Sequence, residues 1–106
     1  MLKLAEKPAL KDFQDYVKKL EIERNFDKEN ILQKCLLLGE EVGELNKAVR
    51  KNFKLLRTDS NSKTKEIGEE LADIIIITCA IANRVNVDLE EAFRKKEKIN
   101  KKRVWD

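Results

Sequence analysis

Apolar residues recur at helical spacing in four successive runs. In the first, Leu10, Phe13, Val17 and Leu20 form one stripe, with Asp12, Lys18, Lys19 and Glu23 outside it. This predicts a helix from about Pro8, a residue tolerated in a first turn, to Arg24-Asn25, where Asn can take the left-handed end position. Phe13, Tyr16 and Phe26 are assigned to the core. Asp27 is the expected N-cap of a second helix over about Lys28 to Phe53, with Glu29 in its first turn. Ile31, Leu38, Leu45 and Val49 mark its face, while Leu32 and Leu36 lie well round from it. Apolar residues on two sides imply two neighbours. Gly39 and Gly43 fall on the back of this helix, which a closely packed neighbour or a kink would explain. Leu55 to Ser62 reads as a connection.

The third run, from about Lys65 to Val85, opens acidic and then becomes apolar nearly all round through Ile74-Ile75-Ile76-Ile77-Thr78-Cys79-Ala80-Ile81-Ala82. Four isoleucines alone would also suit a buried strand. The unbroken acidic turn before them and the alanines after them favour a helix. A helix apolar on every side sits centrally, here with a subunit interface included. Asn86 is the expected stop. Asp88-Leu89-Glu90-Glu91 then starts a fourth helix that buries Leu89, Ala92 and Phe93 and turns cationic from Arg94. Lys96, Asn100 and Arg103 share one of its faces. Trp105 is placed either back on the bundle or over a ligand.

Composition sharpens this to an all-α reading. In 106 residues, 41% are charged and only 6% aromatic, with three Gly and one Pro; that is material for helices, not sheets. The length allows a single domain over residues 1–106, whose modest core is readily extended by association. Net charge is +3, so only the basic tail from Arg94 to Arg103 argues for nucleic acid, and the acids nearby argue against it. No apolar run is long enough to span a membrane, and Met1 to Glu6 lacks the apolar core of a signal peptide. Cys35 and Cys79 read as buried free thiols in a reducing cytoplasm. The absence of His disfavours zinc, a His-based triad and a Glu-x-x-His di-iron site.

The chemistry lies in a motif and its echo: Gly39-Glu40-Glu41-Val42-Gly43-Glu44-Leu45 and Gly68-Glu69-Glu70-Leu71-Ala72-Asp73-Ile74. At about 100° per residue, Glu41 projects between Leu37, Leu38 and Leu45, and Glu70 between Ile67, Ile74 and Ile77. Glu44 and Asp73 flank those stripes. Carboxylates against a core are costly unless paired or metal-bound. Four brought together would raise each other's pKa or part, unless a hard cation sits among them. Oxygen-only ligands suit Mg²⁺, Mn²⁺ or Ca²⁺. Any one acid taken singly reads as a solvated helix residue; the argument rests on the doubled pattern on apolar faces.

Glu40-Glu41-x-x-Glu44 followed by Glu70-x-x-Asp73 resembles the EExxE…ExxD pattern of the MazG-like nucleoside triphosphate pyrophosphohydrolases. Lys96-x-x-x-Asn100-x-x-Arg103-x-Trp105 is similar to the C-terminal segment of its small members. The resemblance runs from about Ile31 to the end. It implies a four-helix bundle completed by dimerisation, as a homodimer or homotetramer. It also implies Mg²⁺-dependent (or Mn²⁺-dependent) cleavage of a nucleoside triphosphate between the α and β phosphates. By motif match Glu41, Glu44, Glu70 and Asp73 would be metal ligands. Glu40 or Glu69 would act on the attacking water, and Lys96, Asn100 and Arg103 would meet the phosphates. Two rivals are a non-catalytic helical oligomer that binds a nucleotide or protein, and a structural bundle whose acids pair with the lysine-rich tail. Base and sugar preference are not legible.

Overall fold

The structure, a computed structural model, describes residues 1–53 and 60–104, with the side chains of 60–64 excepted. It contains α1 (Leu10–Glu23), α2 (Ile31–Phe53), α3 (Ser60–Arg84) and α4 (Leu89–Lys101). There is no strand among the described residues, so the isoleucine run is helical. No described helix is long and apolar enough to cross a membrane. Most of the Leu55–Ser62 connection and the whole of Trp105 lie outside the described residues. Within that stretch α3 is already helical at Ser60, ahead of the expected start at Lys65.

Local signals set the helix ends. The Asp12 carboxylate accepts from the Ala9 N–H (2.8 Å) at the start of α1, placing Pro8 ahead of the helix. At its end, Asn25 adopts φ 61° and Phe26 N–H donates to Glu21 O (2.8 Å), a left-handed C-terminal closure. The end of α3 repeats it: Asn86 has φ 55° and Val87 N–H donates to Ala82 O (2.9 Å). Asp88 caps α4 by accepting from Glu91 N–H (3.0 Å). The expected cap of α2 is corrected. Asn30, not Asp27, closes it, through a reciprocal pair in which Gln33 N–H donates to Asn30 Oδ1 (2.9 Å) and Asn30 N–H to Gln33 Oε1 (2.7 Å). The physical reason is that Gln33 reaches back to the Asn30 amide as a third-position partner, which Asp27 lacks.

α3 is central, packing along α2 and crossing α1, while α4 meets α1. Val17 and Leu20 of α1 bury against Cys79 and Ala80, with Leu2, Phe13, Tyr16 and Leu89 around them. Small residues on α3 allow that close crossing. A buried ionic clamp ties the same end together. Lys34 Nζ lies 2.9 Å from Glu21 and 2.8 Å from Glu29, and Arg84 Nη1 is 2.7 Å from Glu21. Arg84 also donates to the backbone carbonyls of Phe26, Glu29 and Ala80. Gln14 joins α1 to the α3–α4 turn, donating to Val87 O (2.8 Å) and accepting from Leu89 N–H (2.9 Å).

Much apolar surface stays open. Leu32 and Leu36 are 72% and 75% exposed, and Val42, Phe53, Leu71, Ile75 and Phe93 are exposed as well. The expectations that Phe26, Ala92 and Phe93 are buried are therefore corrected, since all three are exposed. Of the inward residues expected on α4, Leu89 alone packs against the core, where Gln14 holds the first turn. Cys35 is likewise exposed, whereas Cys79 is buried. Cys35 falls on the second apolar side of α2, which no described helix covers. A Cβ added at Gly39, Gly43 or Gly68 would meet nothing within 4 Å, so no contact with the described residues explains these glycines. The radius of gyration, 16.4 Å, exceeds the roughly 13 Å of a compact domain of this length.

Candidate metal centre

The acidic motifs face each other where α2 and α3 pack. Glu41, set inward by the Leu38 and Leu45 register, meets Glu70 and Asp73 from α3. One carboxylate oxygen from each lies within 4.8 Å of the others. Glu41 and Glu70 are half-buried and Asp73 is exposed, so the cluster has an apolar floor and an open side. Glu41 is held above the usual carboxylate range. Its hydrogen bond with Glu70 contributes most, then burial, then the charges of Asp73, Glu70 and Glu44. Glu70 Oε2 is buried without a hydrogen-bond partner. Carboxylates this close are electrostatically incomplete, and an oxygen-only set with one unpaired buried oxygen fits a hard divalent cation.

The structure brings together three of the four residues expected to ligate. Glu44 is exposed on the next turn of α2, outside the three-oxygen group yet close enough for its charge to act on Glu41. Glu40 and Glu69 are exposed. Lys96 and Asn100 lie together along a cleft beside α3. Arg103 does not continue their helical face, because α4 ends at Lys101 and Lys102 is its C-cap. The acids are not neutralised by the start of the basic tail: Arg94 and Lys95 pair with Glu90 and Glu91 of their own helix (2.8 and 2.7 Å).

Sequence reasoning missed Asn52. Buried on α2, its Nδ2 donates to Ala48 O (2.7 Å) and to Glu66 Oε2 (3.0 Å). It thus ties down the acid one turn before Glu70. A signal was available, since Asn52 falls four and seven residues after Ala48 and Leu45, on their face. The clamp was missed in the same way. Lys34 lies four residues before Leu38 and seven before Glu41, on the inward stripe.

The model of the MazG nucleotide pyrophosphohydrolase domain matches residues 27–104. The chain belongs to this family. That span holds α2, α3 and α4, and with them both acidic motifs and the Lys96–Asn100 cleft. No curated protein matches the chain. MazG membership makes nucleotide pyrophosphohydrolase activity the reading to test, and divalent-metal dependence is general in the family. The facing acids of α2 and α3 lie within the matched span.

Proposed function

We propose that the chain is a Mg²⁺- or Mn²⁺-dependent pyrophosphohydrolase that converts a nucleoside triphosphate, ribo or deoxy, to its monophosphate and pyrophosphate. The observation that carries this is the convergence of Glu41, Glu70 and Asp73 within 4.8 Å inside a MazG match, with Glu70 Oε2 left unpaired. These three, with Glu44 beside them, would hold the metal. Bound there, the cation supplies charge neutralisation for phosphate oxygens and acidification of water. Glu40 or Glu69, exposed on the outer flank of each motif, would orient or deprotonate the attacking water. Lys96 and Arg103 would meet developing negative charge on the leaving pyrophosphate.

The uncovered faces of α2 and α3 support a homodimer or a larger homo-oligomer. Leu32, Leu36, Leu71 and Ile75 are exposed, and Gly39 and Gly43 leave room on the same side of α2 for a close neighbour. Free thiols at Cys35 and Cys79 favour a cytoplasmic role in controlling or cleaning the nucleotide pool.

The test is product analysis over canonical and modified triphosphates with Mg²⁺ and with Mn²⁺, beside Glu41→Gln. Monophosphate plus pyrophosphate, absent in the variant, is the expected result. Orthophosphate release would move the cleavage to another bond. Binding without turnover would favour the non-catalytic module.

A further inference from the structure

Asn52, 2% exposed, is the most deeply buried polar residue among those described. Burying an amide is costly unless its hydrogen bonds are met, and an apolar residue in its place would avoid that cost. What the amide supplies is direction. Its Nδ2 carries two donors. One bond runs back along α2 to Ala48 O (2.7 Å), which fixes the setting of the side chain, and the other crosses to Glu66 Oε2 on α3 (3.0 Å).

Glu66 is placed to matter. It precedes Glu70 by four residues and Asp73 by seven, so the three acids share one face of α3. Four residues are about 6 Å of helical rise. Yet Glu66 is not in the group of converging oxygens formed by Glu41, Glu70 and Asp73. Its own oxygens are engaged by α2: Oε2 accepts from Asn52, and Lys51 Nζ lies 4.0 Å from Oε1. The Lys51 pair is open to water, 62% and 40% exposed, and such pairs add little. The Asn52 bond is the directed one.

The other end of the α2–α3 seam is tied separately. Arg84 of α3 donates to the Glu29 carbonyl just ahead of α2 (2.8 Å). Arg84 follows Asp73 by eleven residues, about 16 Å of helical rise. On α3 the acidic cluster is therefore much nearer the Asn52 tie. Apolar packing along the seam is non-directional, whereas a hydrogen bond weakens steeply as its geometry is lost. A cation needs its ligands held to within about 0.5 Å, a demand that a directed bond meets better than packing alone.

We infer that Asn52 is a positioning residue for the metal centre: its bond to Glu66 sets α3 against α2 so that Glu70 and Asp73 meet Glu41. This rests on the metal-centre half of the pyrophosphohydrolase reading. Asn52 acts through Glu66 and touches neither cation nor substrate.

The experiment uses the full chain as wild type, Asn52→Ala, Glu66→Ala, Glu66→Gln and the double variant Asn52→Ala/Glu66→Ala, with Glu41→Gln as the control for the metal. Mn²⁺ affinity is read from the electron paramagnetic resonance signal of the free ion, without nucleotide, at a temperature where circular dichroism shows every variant folded. Asn52→Ala and Glu66→Ala should each weaken Mn²⁺ binding about three- to tenfold, short of the roughly ten- to hundredfold lost with a partner bonded directly to a ligand. Glu66 is the less buried partner, so Glu66→Ala reads the same bond should Asn52→Ala fold poorly. The double variant should lose no more than either single one, because both break one bond. Glu66→Gln keeps an acceptor for Asn52 and should bind Mn²⁺ as wild type does, although it carries one negative charge less. A Glu66→Gln variant as weak as Glu66→Ala would assign the effect to charge and overturn the proposal. So would additive losses in the double variant. If wild type binds no Mn²⁺, or Glu41→Gln binds it equally, the metal centre is refuted and the positioning role with it. Mn²⁺ binding lost in Glu41→Gln but unchanged in a less stable Asn52→Ala would refute the positioning role alone.

Discussion

The Glu21 side chain is only 5% exposed, yet its environment keeps it ionised. Burial would raise its pKa, but hydrogen bonds and charge from Arg84 and Lys34 outweigh that and lower it. Lys34 moves the other way: burial opposes its charge, and Glu21 and Glu29 raise its pKa. Glu21→Gln leaves two cations facing a neutral amide, and breaking such a buried pair costs about 3–5 kcal/mol, readable as a fall in the denaturant midpoint at neutral pH. The pH dependence follows from the directions. A depressed Glu21 contributes stability above its unfolded value near 4.5, and loses it as pH falls through the lower folded value. A raised Lys34 contributes below 10.5 and loses it as pH climbs past the higher folded value. Thermal melts of wild type should therefore fall more steeply than those of Glu21→Gln below pH 4.5. Equal slopes would remove Glu21 from the account. At the acidic cluster the sign reverses. Without metal, Glu41→Gln relieves repulsion from Glu70, Asp73 and Glu44 and should melt at the wild-type temperature or above. Added Mg²⁺ should raise the wild-type melting temperature and leave the variant unmoved. A variant that gains as much as wild type would place the cation elsewhere.

At the scale of elements, α2 shows what patterning can and cannot supply. Its inward register put Glu41 against Leu38 and Leu45, and the structure places it there, facing Glu70 and Asp73. Its start is not set by patterning, because Asp27, Asn30 and their neighbours are all capable caps, and the choice depends on which side chain closes a reciprocal pair. Asn30→Ala should cost about 1 kcal/mol, and Asp27→Ala should be near neutral in the same urea titration. Asn52→Ala removes a part-buried bond to Glu66 and should cost about 1 kcal/mol. The stops at Asn25 and Asn86 were legible because the left-handed conformation restricts residue choice locally. The end of α4 was not, and the helical face that periodicity extends to Arg103 stops at Lys101.

The whole molecule is held at one end and open at the other. The clamp, the Gln14 bridge and the Val17–Cys79 core tie α1 to α3, while the second side of α2 and the middle of α3 keep large apolar residues in water. Leu36→Lys should therefore lower oligomer mass in sedimentation and leave the helical circular dichroism of the monomer intact. An unchanged mass would mean that two copies do not meet through this side of α2.

By itself the sequence determined four helices, the two acidic motifs on their apolar faces and the family to which they belong, since periodicity, turn residues and short motifs act within a few turns of chain. Tertiary structure alone decided that Glu44 stands off from Glu41, Glu70 and Asp73, that Lys34 and Arg84 converge on Glu21, and that Phe93 borders an open cleft. Each depends on the angle and distance at which two helices cross, and residues remote in the chain fix that together.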